Sequence, residues 1–235
     1  MNDRALQPTV GEEDIVTVSG VRLRIDRQRY SELMIRILSE NKYEGEERAI
    51  VPKFISPTDR ILELGTAIGF VTMLAARVVG SDHIRGIDAN PYMVNDALVN
   101  FSLNSMHIQI RNGVVKNTTT WEPGNVLFHV DRNFWSSSLT KTSTTVESVL
   151  IPSRCLENEI REFAANTLIC DIEGGEVELF PGSDLRGLNK IMMEVHPRKV
   201  GQSAIYNAVR SIQRQGFSID YENTWGGIVC FYRGF

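Results

Sequence analysis

The stretch of the chain that decides the fold is Arg60-Ile-Leu-Glu-Leu-Gly-Thr-Ala-Ile-Gly-Phe-Val-Thr72. Its first five residues are mostly apolar and predict a buried strand, and the apolar run of residues 70–79 predicts a helix directly after it. Gly65 and Gly69 lie between the two and predict a tight turn. Such a turn lets the polar groups of a ligand approach the backbone, and it points the helix N-terminus at that ligand.

The turn differs from the G-x-G-x-x-G fingerprint of dinucleotide-binding proteins, because Ala67 replaces the middle glycine. Glu63 lies in the strand just before the turn, where a carboxylate would repel a pyrophosphate but suit a ligand with an amino group and a positive charge. The E-x-G-x-x-x-G turn, followed by Asp88 at the end of the next predicted strand, resembles the class I methyltransferases that bind S-adenosylmethionine. An acid at that position can accept both ribose hydroxyls. The alternative is a strand, turn and helix of the same kind that bind no ligand.

Composition limits the class of protein. The chain has 235 residues, of which 42% are hydrophobic and 23% charged, and this predicts one globular domain with a small N-terminal addition. The net charge of -4 argues against a large nucleic-acid surface, which would need a basic stripe. Residues 1–8 show no apolar signal region and no apolar run approaches the length of a membrane span, so we expect a cytoplasmic protein without a membrane span. Cys155, Cys170 and Cys230 are expected to be reduced thiols in the core.

Residues 1–42 are predicted to form an N-terminal extension, and residues 43–235 the methyltransferase-like domain. The predicted elements around that boundary are a hairpin and two helices, at residues 15–25, 29–39 and 46–55. We expect these elements to flank the cofactor site. Tyr43-Glu44 either reaches that site or forms a solvated turn.

The rest of the chain alternates between helix and strand and predicts an α/β fold with a doubly wound, Rossmann-like sheet of seven strands. The third strand is predicted at residues 108–115, where Gly113 either lets a ligand approach or marks a bulge. The segments 126–130 and 145–151 interrupt the alternation and predict an inserted β-hairpin. The loop at residues 133–138 is expected to select the substrate.

The second informative stretch is Thr167-Leu-Ile-Cys-Asp-Ile-Glu-Gly-Gly-Glu176. Asp171 follows a buried strand, and Glu173 lies two residues further on, so both point the same way in extended backbone. The segment Lys190–Pro197 repeats this arrangement with Glu194 and His196. Because ligands bind beyond the carboxyl ends of strands in open α/β sheets, all four side chains are predicted to meet there.

Three segments together resemble the FkbM family of methyltransferases, and they are Glu63–Gly69, Asp171–Glu176 and Met193–His196. The resemblance covers residues 43–196, and it departs at Thr66-Ala67, where the family usually shows alanine and asparagine. It implies a seven-stranded sheet, S-adenosylmethionine as methyl donor, and O-methylation of a hydroxyl on a sugar or a polyketide-type natural product. The residues expected to bind the cofactor are Glu63, Gly65, Thr66, Ala67, Gly69, Asp88, Ala89, Asn90, Gly113 and Asp171.

Methyl transfer to a hydroxyl needs a group that accepts the hydroxyl proton. His196 is the best candidate because its unperturbed pKa lies near 6.5, and Asp171 or Glu173 could orient the acceptor or take the proton instead. Glu194 completes a group of three carboxylates and an imidazole that could also hold a divalent cation such as magnesium. The alternatives are an acid-rich cleft without metal and a His196 that only packs before Pro197.

The sequence therefore predicts an S-adenosylmethionine-dependent O-methyltransferase whose acceptor is a glycan or small molecule with a free hydroxyl, and not a nucleic acid. The first alternative is a methyltransferase-like binding module without activity, against which the intact Glu63, Gly65 and Asp88 count. The second is a nucleotide-dependent oxidoreductase, against which Ala67 and Glu63 count.

Overall fold

The computed structural model describes residues 14–131, 139 and 141–234. Within them the chain forms twelve strands and eight α-helices. The strands are β1 (Ile15–Val18), β2 (Val21–Arg24), β3 (Ile61–Leu64), β4 (Ile84–Asp88), β5 (Gln109–Asn112), β6 (Val114–Lys116), β7 (Asn125–Asp131), β8 (Thr145–Cys155), β9 (Thr167–Cys170), β10 (Lys190–Glu194), β11 (Phe217–Ile219) and β12 (Ile228–Arg233). The helices are α1 (Glu32–Ser39), α2 (Gly45–Phe54), α3 (Phe70–Val79), α4 (Pro91–Leu103), α5 (Leu156–Phe163), α6 (Glu176–Leu179), α7 (Pro197–Val200) and α8 (Gln202–Gln213).

Seven strands form the central sheet, in the order β11-β12-β10-β9-β3-β4-β5. The strands from β10 to β5 are parallel, whereas β12 runs antiparallel to both of its neighbours. The strand β3 lies between β9 and β4 with all four residues buried, as its mostly apolar sequence predicts for a parallel strand covered on both faces. This sheet confirms the predicted Rossmann-like methyltransferase fold.

Helices cover both faces of the sheet. One hydrophobic cluster joins a sheet face to the β1–β2 hairpin and to α1, α2, α3 and α4. The other joins the opposite face to α5, α6 and α8. The three cysteines are free and buried, as expected. Among the described residues, no helix has both the length and the apolarity that a bilayer span requires.

The N-terminal hairpin turns at Ser19-Gly20 as predicted, and it is fastened to α4 by asparagine side chains. Asn100 Oδ1 accepts a hydrogen bond from the Arg24 backbone at 2.8 Å, and Asn104 Oδ1 accepts one from Arg22 at 2.9 Å. The hairpin and α1 thus share one hydrophobic cluster with α3 and α4. The boundary between residues 42 and 43 stays a prediction.

The predicted third strand is interrupted at Gly113, where the sequence left a bulge open as one alternative. The chain splits at Gly113, so β5 lies in the central sheet whereas β6 joins β8 and β7 in a separate three-stranded sheet. Arg154 causes the break, because its Nε donates to the Asn112 carbonyl at 2.9 Å and its side chain occupies the space that a Cβ at position 113 would need.

The predicted insertion is present as an antiparallel pair in which Val126 of β7 faces Ile151 of β8. Beyond that hairpin β8 continues to Cys155 and pairs in parallel with β6. The expected substrate-selecting loop at 133–138 lies outside the described residues.

The turn after β3 presses against the end of β9. Gly65 has a φ of +84°, and a Cβ at this position would collide with the Asp171 backbone carbonyl. The Asp171 amide donates to the Leu64 carbonyl at 2.9 Å, so the two segments are held at this separation.

We expect Gly65→Ala to lower the free energy of unfolding by about 1 kcal/mol for the left-handed backbone and by about 1–3 kcal/mol more for the collision. Gly216→Ala is the matched control, since its φ is +88° and no described atom lies within 4 Å of the added Cβ. Urea unfolding of both variants measures the difference. Equal losses in the two variants would contradict the tight contact with β9.

Candidate functional site

A cavity of about 790 Å³ opens at the carboxyl ends of β3, β4 and β9. This volume lies within the range of small-molecule pockets, and the position is where open α/β sheets bind ligands. Most of the predicted site residues line it, and these are Gly65, Ala67, Asp88, Ala89, Asn90, Gly113, Asp171, Glu173 and Glu194.

Four predicted site residues do not line this cavity. Glu63 and Thr66 are buried beneath the turn and border a small inner pocket of about 30 Å³. Gly69 is the N-cap residue just before α3, and it lies against the Phe101 ring of α4. His196 lies behind the carboxylates that face the cavity. Glu63, Thr66 and Gly69 shape the turn in this structure, and their predicted contact with a cofactor remains a prediction.

Asp88 is held in place by the backbone on both sides. Its Oδ2 accepts a hydrogen bond from the Ala67 amide and its Oδ1 accepts one from the Asn90 amide, both at 2.7 Å. Burial raises the pKa of Asp88 to about 6 despite these two bonds, so the group is mostly ionised at neutral pH. Each carboxylate oxygen retains a free lone pair. Asp88 can therefore accept two hydroxyl groups from a ligand in the cavity.

Glu63 is a buried carboxyl with a structural partner. Its Oε2 accepts a hydrogen bond from the Thr72 hydroxyl in the first turn of α3. Burial, and to a lesser degree the nearby charge of Asp88, raises the pKa of Glu63 to about 8. The side chain is therefore neutral at pH 7, so it ties β3 to α3 and does not supply the negative charge that the sequence suggested.

Three residues that line the cavity have strained backbone. Glu44, Ala67 and Glu173 are not glycine, yet their φ angles are +47°, +45° and +57°. The left-handed region costs an ordinary residue about 1–2 kcal/mol. Strain of this kind collects at functional sites, where surrounding packing holds it in place.

The N-terminal part of the domain supplies two further carboxylates, of which Glu44 was an open alternative in the sequence and Glu47 was not named. Glu44 lines the cavity, and Glu47 of α2 borders the inner pocket beside it. Burial and the charges of Glu194 and Glu44 raise the pKa of Asp171 well above its ordinary value. Burial and the charge of Glu47 raise the pKa of Glu194 to about 7. The signal for Glu44 was its neighbour Tyr43, which also lines the cavity.

His196 faces carboxylates on both sides of its ring. Its Nε2 lies 3.5 Å from Glu173 Oε2, 3.6 Å from Asp171 Oδ1 and 3.8 Å from Glu194 Oε1. Its Nδ1 lies 3.8 Å from Oε1 of the fully buried Glu176. Burial, with a contribution from Lys199, lowers the pKa of His196 below its ordinary value. The structure thus brings together the four side chains that the two strand ends predicted.

Comparisons with known proteins agree with the fold. No family model matches the chain. The chain is 28% identical over 79 residues to the ribosomal protein L11 methyltransferase of Geobacillus thermodenitrificans, and this match covers 34% of the chain but only 22% of that relative.

Two solved structures are similar over most of the chain. The tRNA (uracil-54, C5)-methyltransferase of Pyrococcus abyssi, in complex with S-adenosyl-L-homocysteine, matches with a TM-score of 0.50 and 10% identity, covering 93% of this chain and 44% of its own. The precorrin-6y C5,15-methyltransferase of Geobacter metallireducens matches with a TM-score of 0.49 and 10% identity, over 90% and 98%. The first of these matches, with its TM-score of 0.50, indicates the fold of the class I S-adenosylmethionine-dependent methyltransferases. Membership of the FkbM family stays a prediction.

We expect Glu63→Gln to flatten the dependence of stability on pH. The folded protein keeps the Glu63 proton up to a pKa of about 8, whereas the unfolded chain releases it near 4.5. The folded state therefore binds more protons between these values, and the free energy of unfolding falls as pH rises, by up to ~1.4 kcal/mol per pH unit.

Urea unfolding of the wild type and of Glu63→Gln between about pH 5 and 8 measures this slope. The glutamine keeps an oxygen for the Thr72 hydroxyl but carries no titrating proton. An unchanged slope in the variant would show that Glu63 is not protonated in the folded protein.

Proposed function

We propose that the chain is an S-adenosylmethionine-dependent methyltransferase of the FkbM type that methylates a hydroxyl of a glycan or a natural-product small molecule. The observation that carries the proposal is a single cavity with Asp88 at one end and the carboxylates around His196 at the other. The fold supports the methyl donor. The acceptor class rests on the sequence resemblance, because two of the methyltransferases named above act on a ribosomal protein and on a tRNA uracil.

The residues of the cavity fit the proposed cofactor. Asp88 has free lone pairs for the ribose hydroxyls. Apolar side chains that could cover the adenine line the wall beside it, and these are Ile87, Met93, Val114 and Phe128. Glu44 and Asp171 line the same cavity, and a cationic amino group and sulfonium beside them would favour their ionised form. The bound cofactor would supply an electrophilic methyl group to this end of the cavity.

Glu194 is the group best placed to accept the acceptor's proton. It lines the cavity, and its pKa of about 7 lies close to a neutral working pH, where a general base is most effective. His196 does not line the cavity, and its Nε2 lies 3.8 Å from Glu194 Oε1. The sequence favoured His196 as the base, and the geometry favours Glu194.

The two other functions that the sequence left open have less support. A binding module without activity would not need Glu194 at a pKa of about 7 beside Asp171. A nucleotide-dependent oxidoreductase would place a pyrophosphate near the carboxylates of Glu44, Asp171 and Glu194, where like charges repel.

We expect Asp88→Ala to weaken the binding of S-adenosylmethionine and S-adenosylhomocysteine at least about tenfold, because two charge-assisted hydrogen bonds to the ribose are lost. Calorimetric titration measures both affinities. Asp184→Ala is the control, since that exposed carboxylate pairs with Arg186 away from the cavity. NAD titrated in parallel separates a methyltransferase from an oxidoreductase. A wild-type protein that binds neither methionine-derived ligand would contradict the proposal.

We expect Glu194→Gln to spare cofactor affinity and to lower the transfer rate by about 10²–10⁴-fold. The wild-type rate should rise as pH passes 7, because the base acts when its proton is lost, and the variant should lack this rise. The measurement follows labelled methyl groups from the cofactor into a panel of hydroxylated sugars and polyketides. A variant with the wild-type pH profile would show that Glu194 is not the base.

A further inference from the structure

Three side chains beside the cavity lie close enough together to bind one ion. Asp171, Glu173 and His196 each offer one ligand atom, and these atoms all lie within 4.8 Å of one another. Glu194 lies beside this group, with its Oε1 3.8 Å from His196 Nε2. The group comes from the ends of the neighbouring strands β9 and β10, so the sheet itself fixes its spacing.

The distances from His196 Nε2 to the three neighbouring carboxylates are too long for hydrogen bonds. His196 Nε2 lies 3.5–3.8 Å from oxygens of three different carboxylates, whereas such a bond would measure roughly 2.7–3.2 Å. Ligands at about 2.0–2.2 Å from a tetrahedral metal ion lie roughly 3.3–3.6 Å from one another. The observed separations are therefore close to those of ligands around a cation.

Buried polar atoms without a partner gather at the same place. Among the described residues, Asp171 Oδ1, His196 Nδ1 and Glu176 Oε2 are buried and accept or donate no hydrogen bond. Such atoms are rare in folded proteins, because each costs the free energy of its lost hydration. Of the three, Asp171 Oδ1 faces the proposed site, 3.6 Å from His196 Nε2, and a bound cation would supply the partner it lacks.

Glu176 provides the support that a metal-binding histidine needs. Its side chain is 0% exposed and its Oε1 lies 3.8 Å from His196 Nδ1. The same oxygen accepts a hydrogen bond from the Ile172 amide at 2.8 Å, so the carboxylate cannot turn away. Metal-binding histidines commonly direct one ring nitrogen at such a carboxylate and the other at the ion. Here the other nitrogen, Nε2, points at the three carboxylates.

The local charge also favours a cation. Asp171, Glu173 and Glu194 crowd together, and the nearest described positive side chain is Lys199, whose Nζ lies 3.4 Å from Glu173 Oε2. A divalent cation would offset the repulsion among these carboxylates when they are ionised.

We propose that Asp171, Glu173 and His196 bind one divalent cation beside the cavity, next to Glu194. The imidazole ligand favours a first-row ion such as Mn²⁺ or Zn²⁺ over the magnesium that carboxylates alone would suit. The site stands on its own geometry, and its use in methyl transfer rests on the proposed function. A bound cation would lower the pKa of the acceptor hydroxyl. Glu194 would take the hydroxyl proton as the new carbon–oxygen bond forms and the carbon–sulfur bond of the donor breaks, which releases S-adenosylhomocysteine.

The test is calorimetric titration of the chelator-treated full chain with MnCl₂, ZnCl₂ and MgCl₂, without cofactor or acceptor. We expect one site of micromolar affinity for Mn²⁺ or Zn²⁺ and at least tenfold weaker binding in His196→Asn and Glu173→Gln. Glu178→Gln is the matched control, because this carboxylate lines the same cavity outside the cluster. Thermal unfolding confirms that each variant is folded. Failure of all three ions to bind, or wild-type affinity in both cluster variants, would overturn the proposal.

The same samples titrated with S-adenosylmethionine separate this inference from the proposed function. Cofactor binding without any metal binding overturns the cation site and leaves the methyltransferase assignment intact. Metal binding without cofactor binding supports the site and contradicts that assignment. In a protein that binds both, methyl transfer should fall after chelation and return with Mn²⁺ or Zn²⁺, and chelator-resistant transfer would overturn the cation's part in the reaction.

Discussion

The close contact between the β3–α3 turn and the end of β9 determines the rest of the site. Gly65 lies so near the Asp171 carbonyl that no side chain fits between them, and the Asp171 amide donates to the Leu64 carbonyl. This contact joins the two halves of the sheet where the strand order reverses. Asp88 on one side and the carboxylates around His196 on the other therefore face one cavity. A looser turn would separate the part of the site suited to a ribose from the part suited to proton transfer.

The second constraint is the group of buried carboxylates at the cavity, which two effects make unfavourable for the folded state. Burial raises the pKa of Asp171, Glu173 and Glu194, so each charged carboxylate destabilises the folded state. The left-handed backbone of Glu44 and Glu173 adds strain at the same cavity. Such a site is stable only because the clusters on both faces of the sheet hold it in shape. A positively charged ligand relieves the repulsion, and this favours cationic occupants over phosphates.

The sequence predicts those features that the parallel sheet enforces. The carboxyl ends of neighbouring parallel strands meet at one edge, so strand order alone is enough to bring Asp171 and His196 together. The sequence indicates an irregularity at Gly113 but not that β6 leaves the central sheet, because the contact there involves Arg154, a residue far along the chain. The sequence left open whether Tyr43-Glu44 reaches the site, since the packing of α2 against the sheet is a tertiary property. The sequence did not predict that the Glu63 side chain is buried beneath the turn, because β3 is buried on both faces and so shows no alternation of polar and apolar residues.

The geometry of His196 also bears on which residue could bind a cation and which could accept a proton. Its Nε2 faces the carboxylates of Asp171, Glu173 and Glu194, while its Nδ1 faces the buried carboxylate of Glu176. A nitrogen that ligates a cation cannot also accept a proton, so a cation at this position removes His196 from acid–base chemistry. The lowered pKa of His196 agrees with such a role, because a neutral imidazole is the form that binds metal. Glu194 has a second oxygen and lines the cavity, so it can act on the acceptor even while it stays near the cluster. In the proposed reaction, His196 would hold the cation, and Glu194 would accept the proton of the acceptor hydroxyl.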